Sequence, residues 1–401
     1  MCLGLLLARC GYEGSEGPPG AQGDAGALER VLFVSPEGRG WGSGESERDA
    51  LPFDRLQRAL EMDRGGLTVK LGAGVYDLDR PLVIPDRGEV WTRFLGSGAE
   101  TVLRGSYWPG DEARGFAALQ VQTNRVEIVE MSFQGLGACV ATRPTIPSRQ
   151  IRLRHLRARD VHSCIVVGRR QEAEVQDWWI DDLEVQGYYQ SAIRLSGPAT
   201  RNIRVTSTRL DGENSAGLND CFMGGIQLLR GVSNIRIEDV EIRNNVGDCG
   251  DRYQQGEGIE VDHKGGAPHD IVVRRARIEA SGDAGLDLKG RSITLEDVQV
   301  VRGPAQRYGI RFWTYDDYRC RSCVIEGGRV AHVGLINAGV EFRDSVFDGG
   351  PEDRGLCQFK DKPDYAPSKV TFPGSRRSRE PIVGPAMGCL APEARGLGPQ
   401  S

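Results

Sequence analysis

The sequence predicts an all-β protein, a right-handed parallel β-helix (a solenoid) with an N-terminal capping helix, and three observations carry that expectation. A phrase of a small residue followed by aliphatic, polar and apolar residues occurs five times: Gly225-Ile226-Gln227-Leu228, Gly258-Ile259-Glu260-Val261, Gly285-Leu286-Asp287-Leu288, Gly309-Ile310-Arg311-Phe312 and Gly339-Val340-Glu341-Phe342. The glycines stand 33, 27, 24 and 30 residues apart, too irregular for helical repeats of fixed length but right for stacked strands joined by variable loops. Between these phrases lie further alternating stretches, such as Asn202-Ile203-Arg204-Val205, Asn234-Ile235-Arg236-Ile237, Asp270-Ile271-Val272-Val273 and Ser292-Ile293-Thr294-Leu295. Glycine also makes up 54 of 401 residues, against a usual share of about 7%, and the excess falls where backbone must bend or approach closely.

Taken in order, residues 1–10 read as a remnant signal segment. Leu6-Leu7-Ala8-Arg9-Cys10 resembles a bacterial lipobox whose Cys would be acylated, with Arg9 where that signal has a small residue. The apolar run is too brief to span a bilayer. Residues 11–30 form a spacer in which Gly14, Gly17, Gly20, Gly23 and Gly26 recur every third residue, far too short a register for a collagen helix. Export to the medium, periplasm or cell surface is expected, with a lipid anchor as one form of it. Pro52 to Met62, with Phe53, Leu56, Ala59 and Leu60 at helical spacing, predicts the helix that plugs the open end of the strand stack. Leu67–Leu71 and Val75-Tyr76 then alternate as strands around Gly72-Ala73-Gly74.

Here the chain resembles the pectate-lyase-type β-helix superfamily, in its Val34-Ser35-Pro36-Glu37-Gly38 opening, its Leu56-Gln57-Arg58-Ala59-Leu60 helix and its Gly72-Ala73-Gly74-Val75-Tyr76 step. The resemblance covers residues 31–350, which are expected to form one β-helical domain. Beyond residue 350 the pattern fades, and 351–401 reads as a C-terminal cover and loose tail.

The net charge of −5, from 51 basic and 56 acidic residues, gives no global field for nucleic acid or an anionic membrane. Cys139 and Cys164 lie in apolar repeats and read as small buried core residues. Cys221 and Cys249 flank one coil and could be joined in an exported chain, while Cys320 and Cys323 lack the second pair that a zinc site needs. Disulfides are expected, not metal, at these cysteines. A monomer is the expected state.

Stacking the phrases in register places Arg194, Gln227, Glu260, Asp287, Arg311 and Glu341 in one column, with Leu229, Asp262, Lys289, Trp313 and Arg343 two residues on. Glu260, Asp262 and Asp287, joined by Glu257 and Asp283, would form an acidic cluster bordered by Lys264, Lys289, Arg194 and Arg311. Carboxylates so close repel unless cations neutralise them, and hard oxygen donors suit Ca²⁺, so these five acids are the candidate metal ligands. A charge ladder that merely keeps a sheet face soluble is the plainer alternative.

Such a site would recognise an acidic polysaccharide. In β-elimination a cation neutralises the uronate carboxylate, a base removes the C5 proton, and the 4-linked sugar departs. Lys264, Lys289 and Arg311 are the candidate catalytic bases or acids, and Arg194, Tyr308 and Trp313 the candidate substrate-binding residues; a Lys or Arg base requires a lowered pKa. Glu257 and Lys264 hold a spacing similar to that of the chondroitinase B and alginate lyase family, and Gly285-Leu286-Asp287-Leu288-Lys289 places Lys where that family has Arg. Asp283-Ala284-Gly285-Leu286-Asp287 resembles the Ca²⁺ turn of pectate lyases, with Ala284 in place of one ligand. Tyr308-Gly309-Ile310-Arg311 resembles the Tyr-Gly-Ile-Asp motif of mannuronan C5-epimerases, with Arg311 in place of the Asp. These resemblances imply an exported, Ca²⁺-assisted polysaccharide lyase acting on a uronate-containing glycan. The alternative is a non-catalytic surface protein that binds glycans or serves structurally. Asp316-Asp317 is the adjacent Asp pair of a late coil, without the surroundings of polygalacturonase-type hydrolysis. His263 and His269 fall in a turn, and no phosphate-cradling loop or nucleophile elbow occurs.

Overall fold

The computed structural model describes residues 29–381 except 110, 112–113, 144, 169–172, 251–253, 349–355, 360–368 and 378–379. The signal-like segment and nearly all of the glycine spacer therefore lie outside the described residues. Within them the chain winds as a right-handed parallel β-helix. All strand pairs described are parallel except Arg376–Arg377 with Glu380–Pro381.

The alternation within each strand builds the core. Ile193, Ile226, Ile259, Leu286, Ile310 and Val333 stack coil upon coil, and beside them Leu195, Leu228, Val261, Leu288, Phe312 and Leu335 form a second column, every one fully buried. Burial of each such side chain contributes about 1.5–3 kcal/mol relative to exposure.

Corners between faces are set by residues that tolerate the left-handed backbone region. Asp177, Asn202, Asn234 and Asp270 occupy one corner of successive coils with φ of 60°, 57°, 51° and 56°. Asn and Asp accept this conformation more readily than other non-glycine residues. Their side chains also bond between coils, Asn234 donating to Asn202 at 2.7 Å and Asn202 to Asp177 at 3.1 Å.

The N-terminal cap is a short helix, Leu56–Met62, after a 3₁₀ turn at Phe53–Arg55. Leu56 and Leu60 are fully buried in the end of the stack, with Phe53 and Ala59 packed beside them. Gln57 fixes the helix to the coil by accepting from the Val83 N–H at 2.8 Å.

Three expectations change. Cys139 and Cys164 are not separate core residues but a disulfide between adjacent coils; Cys221–Cys249 and Cys320–Cys323 are also bonded. The stack does not stop at residue 350, because Cys357–Phe359, Lys369–Thr371 and Arg376–Arg377 pair in parallel onto the preceding coil. Finally, Glu341 leaves the predicted column. The strand after Tyr308–Trp313 on that face is Ala331–Ile336, so Arg311 is followed by Gly334, whereas Glu341 pairs with Arg319 on another face. Arg343 leaves with it and pairs with Arg321.

Candidate functional site

The glycine of the repeated phrase positions the site. A Cβ on Gly225, Gly285 or Gly309 would stand 2.5 Å from Ile242, Val300 or Ile325, and one on Gly258 would strike Ile278. Each would also meet the carbonyl of the next coil, at 2.7–2.9 Å. Only glycine lets this corner close against the opposite β-branched wall. Gly339 has different neighbours, the backbone of Asp316, which is why it belongs to a different face.

Beyond the corner, five residues predicted for the column do align: Arg194, Gln227, Glu260, Asp287 and Arg311, in consecutive coils. Their cations and carboxylates close on one another. Arg311 reaches Asp283 at 2.6 Å, Asp287 at 2.9 Å and Glu257 at 3.5 Å. Lys289 Nζ lies 2.9 Å from Asp287 and 4.0 Å from Asp262. The Trp313 indole N–H donates to Asp287 at 2.6 Å, and Arg307 adds a contact of 3.4 Å to Asp283. Gln227 donates to Glu260 at 2.8 Å.

Burial fixes the protonation of this group. Glu257 is 5% exposed, and burial together with Glu260 and Asp287 holds its carboxyl well above the usual range despite Arg311. Glu260 is pushed up to about 7, chiefly by burial and further by Asp287 and Asp262, against the opposing pull of Lys289 and Gln227. Burial disfavours the charged forms of Lys289 and Arg311, but the surrounding carboxylates more than offset it and raise both above their ordinary values. Lys289 and Arg311 are thus fixed cations, unsuited to the role of a base.

The other predicted residues spread out. Lys264 is exposed, and among the described residues no ion pair joins its ammonium to the cluster. Tyr308 is buried between Ala284 and Ala331, its ring facing Arg307 and Arg311 at 5.6 and 5.8 Å. Asp316 and Asp317 stand in a turn, where Asp317 accepts from Ser292. As for calcium, Asp283 and Asp287 already hold a guanidinium and an ammonium, and among the described residues no group of three His, Cys, Asp or Glu side chains is arranged to hold a metal ion. The five carboxylates as folded do not fit a Ca²⁺ ion, which asks for six to eight oxygens.

Along the same face, toward the N-terminal end, a cleft of about 290 Å³ opens over the column at Gln120, Ala141, Val166 and Arg194. Arg114, Arg194 and His162 line it with Gln120, Gln190 and Ser163. A β-bulge shapes it. Val161 pairs with Tyr188 and Ser163 with Ser191, so Tyr189 and Gln190 together face His162 alone. Bulges re-aim side chains in this way beside functional sites. Gln190 accepts from Arg194 at 2.8 Å and donates to Asp220 at 3.3 Å. His162, 6% exposed, packs against Tyr107 and Tyr189, with Ser163 Oγ 3.4 Å from its Nδ1. Sequence reasoning missed His162, because nothing in Val161-His162-Ser163-Cys164 carries the glycine phrase; its signal was the slot it shares with Gln190, ahead of a conforming strand.

No family model and no curated protein matches this chain. Solved structures do. The A-module of the mannuronan C-5 epimerase AlgE6 of Azotobacter vinelandii superposes with a TM-score of 0.56 at 14% identity, over 84% of this chain and 94% of that one. The catalytic domain of a GH87 α-1,3-glucanase bound to nigerose gives 0.56 at 9% identity, over 90% of this chain and 67% of its own. The Dettilon tailspike protein gives 0.51 at 11%, over 90% and 68%. The likeness is one of fold. At these identities it concerns the path of the backbone, a β-helix shared by all three.

Proposed function

We propose that this protein is an exported, pectate-lyase-like β-helix enzyme that cleaves a uronate-containing polysaccharide by β-elimination, with one sugar seated in the cleft of Arg114, Arg194 and His162. The observation that carries this reading is the lining of that cleft, where the guanidinium groups of Arg114 and Arg194 and the imidazole of His162 converge directly beside a fixed acid and base ladder on the same face. The two arginines pair with the sugar carboxylate and stabilise the charge that develops on it when C5 loses its proton. Imidazole is the side chain whose ordinary titration spans neutral pH, so His162 is the residue suited to take that proton. The C4–O bond then breaks, its electron pair leaves with the departing sugar, and a C4=C5 double bond remains. Glycan chemistry in two structural neighbours, the mannuronan epimerase and the α-1,3-glucanase, supports the substrate class by analogy of fold. The disulfides among the described residues support an oxidising, extracytoplasmic location.

The test is ultraviolet absorbance of the unsaturated uronate product, with purified protein on alginate, polygalacturonate and glycosaminoglycans. Activity is expected to persist in EDTA. His162→Ala is expected to lower the rate by about 10²–10⁴-fold, the span of one general base. A flat trace on every glycan from folded protein would remove the lyase reading. Loss of solvent tritium exchange at C5 as well would leave a glycan-binding surface protein.

A further inference from the structure

A second cleft, of about 250 Å³, lies on a different face and shares no residue with the first. Trp91, Gln150, Arg152, Asp177, Trp179 and Arg204 line it. This face carries Arg93, Glu127, Arg152, Trp179, Arg204 and Arg236 in one column of successive coils. Trp91 and Trp179 are half-buried. The indole N–H of Trp179 is satisfied by Thr206 Oγ1 at 3.1 Å, which fixes the side chain and leaves its ring as what it offers. Thr92, next to Trp91, is three coil steps from Trp178, next to Trp179, so the two indoles mark a stretch of about 14 Å at the spacing of paired strands.

Charge on this face is uneven. Arg93 pairs with Glu127 at 3.3 Å, Arg154 with Glu127 at 2.6 Å and Arg204 with Glu238 at 2.9 Å. Arg152, by contrast, has no carboxylate partner among the described residues, and its guanidinium lies over the Trp91 ring at 4.8 Å. Arg236, further along the column, is exposed and likewise has no carboxylate partner among the described residues. The ring face of Trp179, the guanidinium of Arg152 held over Trp91, and the exposed amide and carboxylate of Gln150 and Asp177 are complementary to a sugar chain that carries acid groups.

We propose that this cleft is a second, non-catalytic binding site for an acidic polysaccharide, with a sugar face on Trp179, hydroxyls toward Gln150 and Asp177, and a sugar carboxylate on Arg152, which the Trp91 ring holds in place. The identity of the glycan as a polyuronate rests on the function proposed above; the site itself does not. It holds a length of polymer against the coil without contributing to the reaction, so it raises the apparent affinity for long chains and leaves short ones untouched.

The experiment is affinity electrophoresis of the full chain through gels containing alginate, polygalacturonate or hyaluronan, with dextran as the uncharged control, beside rate measurements on the same polymers and on tetrasaccharides. At least one acidic polymer is expected to retard the protein and dextran is not. Trp91→Ala and Arg152→Ala are each expected to weaken retardation about tenfold with an unchanged melting temperature and an unchanged rate on tetrasaccharides. Trp179→Phe, which keeps an aromatic face, is expected to retain most of it. Retardation equal to the unaltered protein in folded Trp91→Ala and Arg152→Ala would overturn the site, as would the absence of retardation by any acidic polymer. Weakened retardation in these variants, in a protein that forms no unsaturated product, would retain this site and remove the lyase reading. Loss of the reaction in His162→Ala with retardation insensitive to the platform would do the reverse.

Discussion

Arg311 holds together three buried carboxylates from three different positions in the chain, Glu257, Asp283 and Asp287. Replacing it by Leu strands those acids in a poorly solvated corner, so Arg311→Leu is expected to lower stability by about 3–5 kcal/mol in chemical denaturation. Arg311→Lys should recover little, because a single ammonium cannot reproduce a fork that meets Asp287 through two nitrogens. Glu260 gives a prediction in pH. Its carboxyl holds the proton up to about 7 in the fold, against an ordinary 4.5, so the native state binds that proton more tightly than the unfolded chain. The contribution is whole below about 4.5 and is lost as pH rises through about 7. Glu260→Gln removes this loss, and its melting temperature relative to the unaltered protein is expected to rise across that window and to stay level below it. These residues were legible in the sequence because the ladder is periodic. What the sequence could not supply was the sign of each role: Lys289 looked like a base and is a fixed cation, because its pKa depends on Asp287, Glu260 and Asp262 closing around it.

At the scale of a strand and its corner, the glycines matter through what a methyl would strike. Gly285→Ala places a Cβ 2.5 Å from Val300 and 2.9 Å from the Gly309 carbonyl, and overpacking of this kind costs about 1–3 kcal/mol. In a double-mutant cycle, Val300→Ala removes the nearer atom. The pair is expected to be less destabilised than the sum of the single variants, whereas strict additivity would show that the corner does not set the coil. The same packing explains the error at Gly339. Gly339-Val340-Glu341-Phe342 copies the phrase in residue type, yet the coil continues through His332-Val333-Gly334-Leu335, whose first residue is not glycine. Local alternation identifies a strand but does not say which face it joins. The bulge at Tyr189 and Gln190 was equally invisible, since it exists only as a mismatch between two strands paired in space.

For the molecule as a whole, the fold was readable because a solenoid repeats its physics every coil, while the site was readable only in part because loops and cross-coil bonds build its walls. Cys221–Cys249 ties the segment carrying Asp220 to the next loop, and Asp220 holds Gln190 at the cleft. Reduction of the disulfides is expected to cost a few kcal/mol, about 2–4 for a bridge of this loop length. Separately, Cys221→Ser with Cys249→Ser should raise KM more than it lowers kcat. The most direct test of the central claim compares the unaltered protein with Arg194→Ala, His162→Ala and Lys289→Ala for formation of unsaturated uronate from alginate, polygalacturonate and glycosaminoglycans. The cleft reading requires His162→Ala to lose nearly all turnover and Arg194→Ala to lose most of it, while Lys289→Ala loses stability and retains turnover at low temperature. Full activity in folded His162→Ala, or its selective loss in folded Lys289→Ala, would contradict that reading and return the chemistry to the acidic ladder.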